Sequence, residues 1–524
     1  MTRCRAVVCI CGSLILCSAL WALWLSFDNP YPIARPYNLA WDVVSSSLQR
    51  QGLDVARSPD LASGRMLSQS SLWTFQRLGR TFAAMNAIQL PLLWILLISV
   101  AAIAWKIGGP FAGALAPWLC LFSPASIGLA VIPADHVAVQ ALPAASLAIL
   151  IWSDHHGRRP LSLLCAAPMA LLMHLCLSSI DLVTLACYAA AGSGYLLSLA
   201  IRVQRARRTP LLGERLLALS WATIGLSLSL ILSYWLVPVI LFDYILSETA
   251  NQSYSGILER PGGLLIYPLI WARLQVGPVL AATTLAAVAL ILARRKVSGS
   301  LIALGWLLGP MLALGLISKR NDYYLVPALP GGYVLAAVGL SYLSRGFTRS
   351  AATLTVCLAA AIFWMSMFLG WHQPNPVKAS DILQNDADQY LISPITPNEN
   401  EQLAQWLLDR CPPQEGQPYI ISAEYLPNIP FFAWHASNEI HPGFIHFAPD
   451  PGTKHSCLLI KTSIARDGPP ELLRVLADFR GQARQLDNFD SDVNRRLGII
   501  ERQATAFDPV GTYGDWLLFK RESR

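Results

Sequence analysis

Four places in this sequence set ionisable side chains at the edges of long apolar runs, where a charge is costly and is retained for function or pairing. Asp28, in Phe27-Asp28-Asn29-Pro30-Tyr31, directly follows the first apolar run. A carboxylate there can take a proton from an attacking hydroxyl as a general base, or it can simply cap the run at an interface. Asp135, in Pro133-Ala134-Asp135-His136, lies in an otherwise apolar stretch. A second carboxylate facing the first would orient an acceptor or share a divalent metal with it. It suits equally well as the N-cap of the helix that follows. Lys319 and Arg320 are adjacent cations in Ser318-Lys319-Arg320-Asn321-Asp322-Tyr323-Tyr324. Such a pair can hold a phosphate or pyrophosphate, with Arg as a planar fork and Lys as a point charge, or it can snorkel to anionic lipid. His174 and Asp181 flank a short turn, where packing is the simpler reading, and His155-His156 lacks further ligands.

The elements that must position these groups are membrane spans. The chain has 524 residues, 54% hydrophobic and 14% charged, against about a quarter charged in ordinary soluble domains. From Met1 to Trp371 apolar runs recur at the length that crosses a hydrocarbon core of about 30 Å. After an N-terminal run from Ala6 to Phe27, spans are expected near 82–105, 107–123, 137–152, 161–178, 182–201, 217–240, 276–293, 299–317, 323–343 and 350–370. That makes about eleven, counting the first run as a retained helix rather than a cleaved signal peptide, because it is too long and lacks a small-x-small site before Asp28.

Basic residues in short loops mark the cytoplasmic side. Arg3 and Arg5, Lys106, Arg158-Arg159, the Arg202–Arg215 loop, Arg294-Arg295-Lys296, and Arg345 with Arg349 all fall on one side under this count. The N-terminus is then cytoplasmic and the region after Trp371 extracytoplasmic. The formal charge of +7 follows from this topology and does not call for nucleic acid. Residues 28–81 form a long first outer loop, in which Tyr37–Gln51 and Ser68–Leu78 carry helix-like apolar spacing. They would lie along the membrane surface or pack on other helices.

The resulting domains are a membrane domain, 1–372, and a soluble domain, 373–524. In the tail a helix is expected at Asn400–Arg410, strands at Tyr419–Ser422, Phe431–His435, Cys457–Thr462 and Trp516–Phe519, and a second helix between Pro470 and Phe479. This is a small α/β domain. Cys411 and Cys457 are the only cysteines in the tail. Its expected compartment permits a disulfide between them, and two buried thiols are the alternative. The cysteines of the membrane domain, such as Cys9, Cys11, Cys17 and Cys176, sit in or beside apolar runs and show no metal-ligand spacing.

Taken in order, these features resemble the membrane-embedded glycosyltransferases of the GT-C class, in particular the protein mannosyltransferase and aminoarabinose transferase group (glycosyltransferase family 39-like). Asp28-Asn29-Pro30-Tyr31 is similar to that family's acidic pair at the end of the first helix, with Asn in the second position. Gln49-Arg50-Gln51-Gly52 and Gly79-Arg80-Thr81-Phe82-Ala83-Ala84-Met85-Asn86 resemble its first loop and the approach to its second helix, without the usual Pro-Pro segment. Leu121-Phe122-Ser123-Pro124 followed by Ala134-Asp135-His136 resembles its second outer loop. The most specific match runs from Ser318 through Tyr324-Leu325-Val326-Pro327-Ala328-Leu329-Pro330, where a basic residue precedes Tyr-x-x-Pro-x-x-Pro.

The resemblance implies a GT-C-like fold of about eleven helices and inverting transfer of a sugar from a polyprenyl-phosphate donor to a lipid, glycan or protein acceptor on the outer face. Under it Asp28 and Asp135 are catalytic, Lys319, Arg320 and Tyr324 bind the donor phosphate, and Asn29, Tyr31 and His136 are accessory. No cofactor is required beyond a divalent metal that the carboxylates could share. Partners would be the lipid-linked sugar, membrane lipids and the acceptor. Composition and compact loops suggest a bacterial inner membrane. Two other classes fit the same layout: a noncatalytic glycan-binding or assembly relative, and a flippase for lipid-linked glycan, which should show repeat-related halves that this sequence lacks.

Overall fold

The computed structural model describes residues 3–25, 87–123, 136–154, 158–175, 179–236, 263–294, 297–315, 322–343 and 347–368 of the hydrophobic part. In the tail it describes 399–412, 420–422, 455–461, 491–503, 506–514 and 516–521, with a few single positions between. The chain divides into two compact units. One comprises Met1–Asp28, Arg65–Ser70 and Met85–Thr396; the other comprises Asn29–Gly64, Ser71–Ala84 and Pro397–Arg524.

The first unit is helical. Its described helices are α1 (Arg3–Leu25), α2 (Gln89–Gly108), α3 (Pro110–Leu121), α4 (Ala138–Trp152), α5 (Ala166–Leu175), α6 (Ser179–Ala206) and α7 (Leu212–Trp235). There follow α8 (Gly263–Ile270), α9 (Gly277–Ala293), α10 (Val297–Gly315), α11 (Leu329–Ser341) and α12 (Phe347–Phe368). Each expected span falls on one of these helices. Those at 161–178 and 323–343 begin as 3₁₀ turns, Arg159–Cys165 and Asp322–Ala328. Among the described residues, four stretches are long and apolar enough to cross a membrane: Gln89–Gly108, Val183–Ala206, Leu212–Trp235 and Tyr324–Ser341. Shorter apolar helices make up the other expected spans.

Helices in hydrocarbon gain nothing from burying apolar faces against one another, so small residues that allow close approach decide which ones pack. In the α6–α10 pair, a Cβ on Gly194 would strike the Leu301 carbonyl, one on Gly305 would sit 2.7 Å from the Ala190 carbonyl oxygen, and one on Gly309 would sit 2.8 Å from the Ala190 Cβ. Ala190 and Gly194, and Leu301, Gly305 and Gly309, are each four apart, one face of a helix. α11 lies at the centre. Every residue from Leu329 to Leu340 is buried, and Gly331 and Gly339 admit the Ala303 carbonyl and Ala287 respectively. Mid-bundle hydroxyls pair across elements: Ser146 donates to the Cys165 carbonyl at 2.6 Å and lies 2.7 Å from the Tyr188 hydroxyl.

In the second unit, α13 (Glu399–Arg410) and α14 (Ser491–Gln503) accompany β1 (Ile420–Ser422), β2 (Cys457–Lys461), β3 (Phe507–Tyr513) and β4 (Trp516–Arg521). The sheet order is β1-β2-β4-β3. β1 and β2 are parallel, with Ile421 opposite Leu458, and the β3–β4 hairpin is antiparallel to β2, with Leu459 opposite Leu518. Ile421, Leu458, Ile460, Leu497, Ile500, Leu517 and Phe519 form its core. Cys411 and Cys457 are joined, with S–S 2.02 Å and Cα–Cα 6.6 Å. α14 and β3 were not among the expected elements. Asp508-Pro509 and Gly511 break the apolar alternation of β3, whose register shifts between Pro509 and Gly511. The expected strand at Phe431–His435 lies outside the described residues.

Candidate functional site

At one end of the helical unit, described residues that border the expected outer loops meet. Ser123 closes α3, and its Oγ donates to the Gln275 carbonyl at 2.9 Å. Tyr333, one turn into α11, donates from its hydroxyl to Ser123 Oγ at 2.8 Å. Gln275 ends a π turn, Trp271–Gln275, from which Gly277, with φ +78°, swings the chain into α9. A side chain there would also meet the Phe363 ring at 2.7 Å. These three groups are buried, so each bond forms out of reach of water and fixes its element strongly.

Beside this network runs the 3₁₀ segment Asp322–Ala328. Pro327 supplies no N–H, which suits a tight turn rather than a continued α-helix. Trp306 of α10 donates its indole N–H to the Pro327 carbonyl at 2.8 Å. Leu325, Val326 and Ala328 are fully buried, and Tyr324 is half-buried. The segment packs against α4, α6, α10 and α11. α4 is the helix into which Asp135-His136 leads. His136 is buried, and its carbonyl accepts from Gln140 Nε2 at 3.2 Å. The 3₁₀ segment that carries Tyr324 thus packs against the helix that His136 precedes. Asp28, Asn29, Tyr31, Asp135, Lys319 and Arg320 lie outside the described residues. Among the described residues no group of three His, Cys, Asp or Glu side chains could hold a metal ion.

Ser123, Gln275 and Tyr333 were not singled out from sequence, yet Tyr333 carried a signal. It is the only side chain with a polar tip between Leu325 and Leu340, and a buried tyrosine hydroxyl usually finds a partner. A groove of about 490 Å³ runs between α1 and α2, floored by Ser18, Ala19 and Ala22 and flanked by Trp94 and Ile98.

The opposite end is charged. Arg202 pairs with the buried Asp154 at 2.8 Å. Lys106 lies 5.4 Å from the centre of the Trp152 ring, whose N–H donates to the Ala102 carbonyl at 3.1 Å. Arg349 stacks 3.7 Å over Phe111. Lys106, Arg202 and Arg349 therefore share one end of the bundle.

No family model matches the sequence, and among curated proteins none is significantly similar. Solved structures are similar in fold. ArnT from Cupriavidus metallidurans in the apo state aligns with a TM-score of 0.52 at 13% identity, over 99% of this chain and 98% of that one. The same protein bound to undecaprenyl phosphate aligns with a TM-score of 0.53 at 13% identity, over 100% of this chain and 99% of that one. The Archaeoglobus fulgidus oligosaccharyltransferase tethered with an acceptor peptide aligns with a TM-score of 0.49 at 11% identity, over 91% of this chain and 72% of that one. The match to ArnT along essentially all of both chains shows that this chain has the fold of a GT-C-like membrane glycosyltransferase, the class that its sequence resembles.

Proposed function

We propose that the protein moves a sugar from a polyprenyl-phosphate donor to a lipid, glycan or protein acceptor at the outer face of a bacterial inner membrane. The observation that carries this reading is the whole-chain likeness to ArnT, one of whose structures holds undecaprenyl phosphate. Two features of this chain support it. The 3₁₀ segment that follows Lys319-Arg320 packs against α4, which follows Asp135. The apolar groove beside α1 suits a hydrocarbon chain.

In the proposed reaction the acceptor oxygen attacks the anomeric carbon and Asp28 takes the hydroxyl proton, while Asp135 orients the acceptor. The bond between the anomeric carbon and the phosphate oxygen breaks, and its electron pair stays on the phosphate. Lys319 and Arg320, with Tyr324 beside them, stabilise that developing charge. Single displacement inverts the anomeric centre. Asn29, Tyr31 and His136 take accessory roles. A divalent cation shared by Asp28 and Asp135 would be held by oxygen ligands alone, as hard cations prefer. The N-terminus and the charged end of the bundle face the cytoplasm, and the tail domain faces outward.

The test is transfer from radiolabelled polyprenyl-phosphate sugars by purified protein, with and without chelator, comparing wild type with Asp28→Asn and Asp135→Asn. Label should reach an acceptor, and Asp28→Asn should lower the rate about 10²- to 10⁴-fold, the usual contribution of a general base. Folded wild-type protein that transfers nothing from any donor would sink the enzymatic reading. It would move the assignment to a noncatalytic relative or to a flippase, which transport of labelled lipid-linked glycan in liposomes would reveal.

A further inference from the structure

The tail domain carries an aromatic and polar patch that no part of the proposed reaction uses. Leu403, Ala404, Leu407 and Cys411 are buried on one side of α13. At 100° per residue the opposite side presents Gln402, Gln405 and Asp409, and Trp406 and Arg410 lie on the flank between them and Leu403. The Trp406 indole is half-buried and meets the Tyr513 ring of β3 at 5.8 Å, tilted by 38°. Tyr513 donates its hydroxyl to Gln402 Oε1 at 2.8 Å, and Gln405 donates to Asp409 Oδ1 at 3.0 Å.

These bonds occupy the side-chain atoms that would otherwise rotate freely. Gln402 keeps its amide N–H₂ as a donor, and Asp409 keeps Oδ2 as an acceptor. Gly511 completes the arrangement. A Cβ at that position would sit 3.5 Å from the Trp406 ring and 3.4 Å from Arg410 Nη1, ordinary contact distances that place both groups against the strand. The register shift between Pro509 and Gly511 turns this edge strand, the kind of irregularity that re-aims side chains beside binding sites. Beneath the patch, the Cys411–Cys457 disulfide ties the end of α13 to the start of β2. An exposed amphipathic helix has no need of a tryptophan held in this way.

We infer that this face binds a glycan, with one sugar ring stacked on the Trp406–Tyr513 pair and its hydroxyls met by Gln402, Asp409 and Arg410. A pyranose ring offers an apolar face of C–H groups to an aromatic plane and a rim of hydroxyls that both donate and accept. The patch presents that combination of a flat apolar surface and mixed polar rim. The ligand class rests on the glycosyl-transfer reading, since it makes the bound sugar part of the acceptor or product; the patch itself does not depend on that reading.

The experiment uses full-length protein in detergent, titrated by biolayer interferometry against immobilised hexose, pentose and heptose oligosaccharides. Wild type should bind at least one of them. Trp406→Ala should weaken that binding about three- to tenfold, the range that aromatic stacking spans, while Trp406→Phe keeps a stacking face and should retain most of it. Should Trp406→Ala fail to fold, Gln402→Ala and Arg410→Ala, on the surface of α13, take its place with the same direction expected. Absence of binding to every oligosaccharide overturns the inference, as does binding that these substitutions leave unchanged. Asp28→Asn separates the two readings: it should remove transfer and leave oligosaccharide binding intact. Binding through Trp406 in a protein that transfers no sugar would keep the glycan site and remove the enzyme.

Discussion

At one end of the helical unit Asp154 takes the Arg202 guanidinium at 2.8 Å and cations rest on the Trp152 and Phe111 rings. At the other, Tyr333, Ser123 and the Gln275 carbonyl form a neutral chain, next to the indole of Trp306 on Pro327. The charged end uses long side chains that reach water, which suits anchorage at an interface. The neutral end uses short groups on irregular turns, a π turn and a 3₁₀ segment, which fix backbone positions closely. Proteins put such turns where a side chain must be aimed. Under the proposed function, one end would hold the bundle in place and the other would hold chemistry in register.

The largest expected effect tests the chemical end. Arg320→Ala, or Lys319→Ala, should lower turnover about 10²- to 10³-fold if these cations stabilise the departing phosphate. Steady-state transfer rates decide it. A tenfold or smaller loss in both variants would return the pair to lipid snorkelling.

Next comes the middle, which both ends need. Gly194→Leu drives a side chain into the Leu301 carbonyl on α10, backbone that cannot step aside as a flexible side chain would. The helix pair should separate, at a cost of about 3 kcal/mol or more. A fall in the yield of monodisperse protein, and in the detergent melting temperature of whatever is recovered, would show it. Unchanged melting would mean that the α6–α10 contact contributes little.

A smaller effect tests the charged end. Asp154 is 6% exposed and Arg202 35%, so after Asp154→Ala the guanidinium can turn to solvent. The loss should be nearer 1–2 kcal/mol than the larger cost of a fully buried orphan charge. Thermal melting should drop, while kcat and KM for transfer stay within about twofold, since the pair lies at the opposite end of the bundle from the groups of the proposed reaction. If kcat falls with stability, the two ends are not separable in the way the comparison claims.

Much of this arrangement was legible in the sequence. Long apolar runs reveal helices because lipid allows few alternatives, and the basic residues that alternate with them meet at one end, as Lys106, Arg202 and Arg349 show. The strands at 420–422, 457–461 and 516–521 were readable as short apolar runs. Other features were not. α14 carries few apolar residues, Leu497, Ile499 and Ile500 among them, within a charged segment, and β3 contains Pro509 and Gly511, so neither offered a clean period. The Ser123–Tyr333 pair is 210 residues apart in sequence, and no local pattern links such partners. The candidate site residues Asp28, Asp135, Lys319, Arg320, His136 and Tyr324 rest on spacing and resemblance, and what the structure adds is that the 3₁₀ segment carrying Tyr324 packs against the helix that His136 precedes.

Tyr333→Phe is the finest probe of the comparison, because it removes one hydroxyl and keeps the ring. Ser123 can still donate to the Gln275 carbonyl, so that bond survives, and the stability cost should be about 1 kcal/mol, that of one net hydrogen bond. Melting in detergent should therefore move only slightly, and less than in Asp154→Ala. Activity should respond in the opposite order. Tyr333 ties α11 to the end of α3, from which the chain runs on to Asp135, so a loosened tie should misplace acceptor groups and lower kcat severalfold, since small misplacements cost rate steeply. Equal or smaller loss of kcat in Tyr333→Phe than in Asp154→Ala would mean that the neutral chain serves stability alone, and that the division of labour between the two ends is wrong.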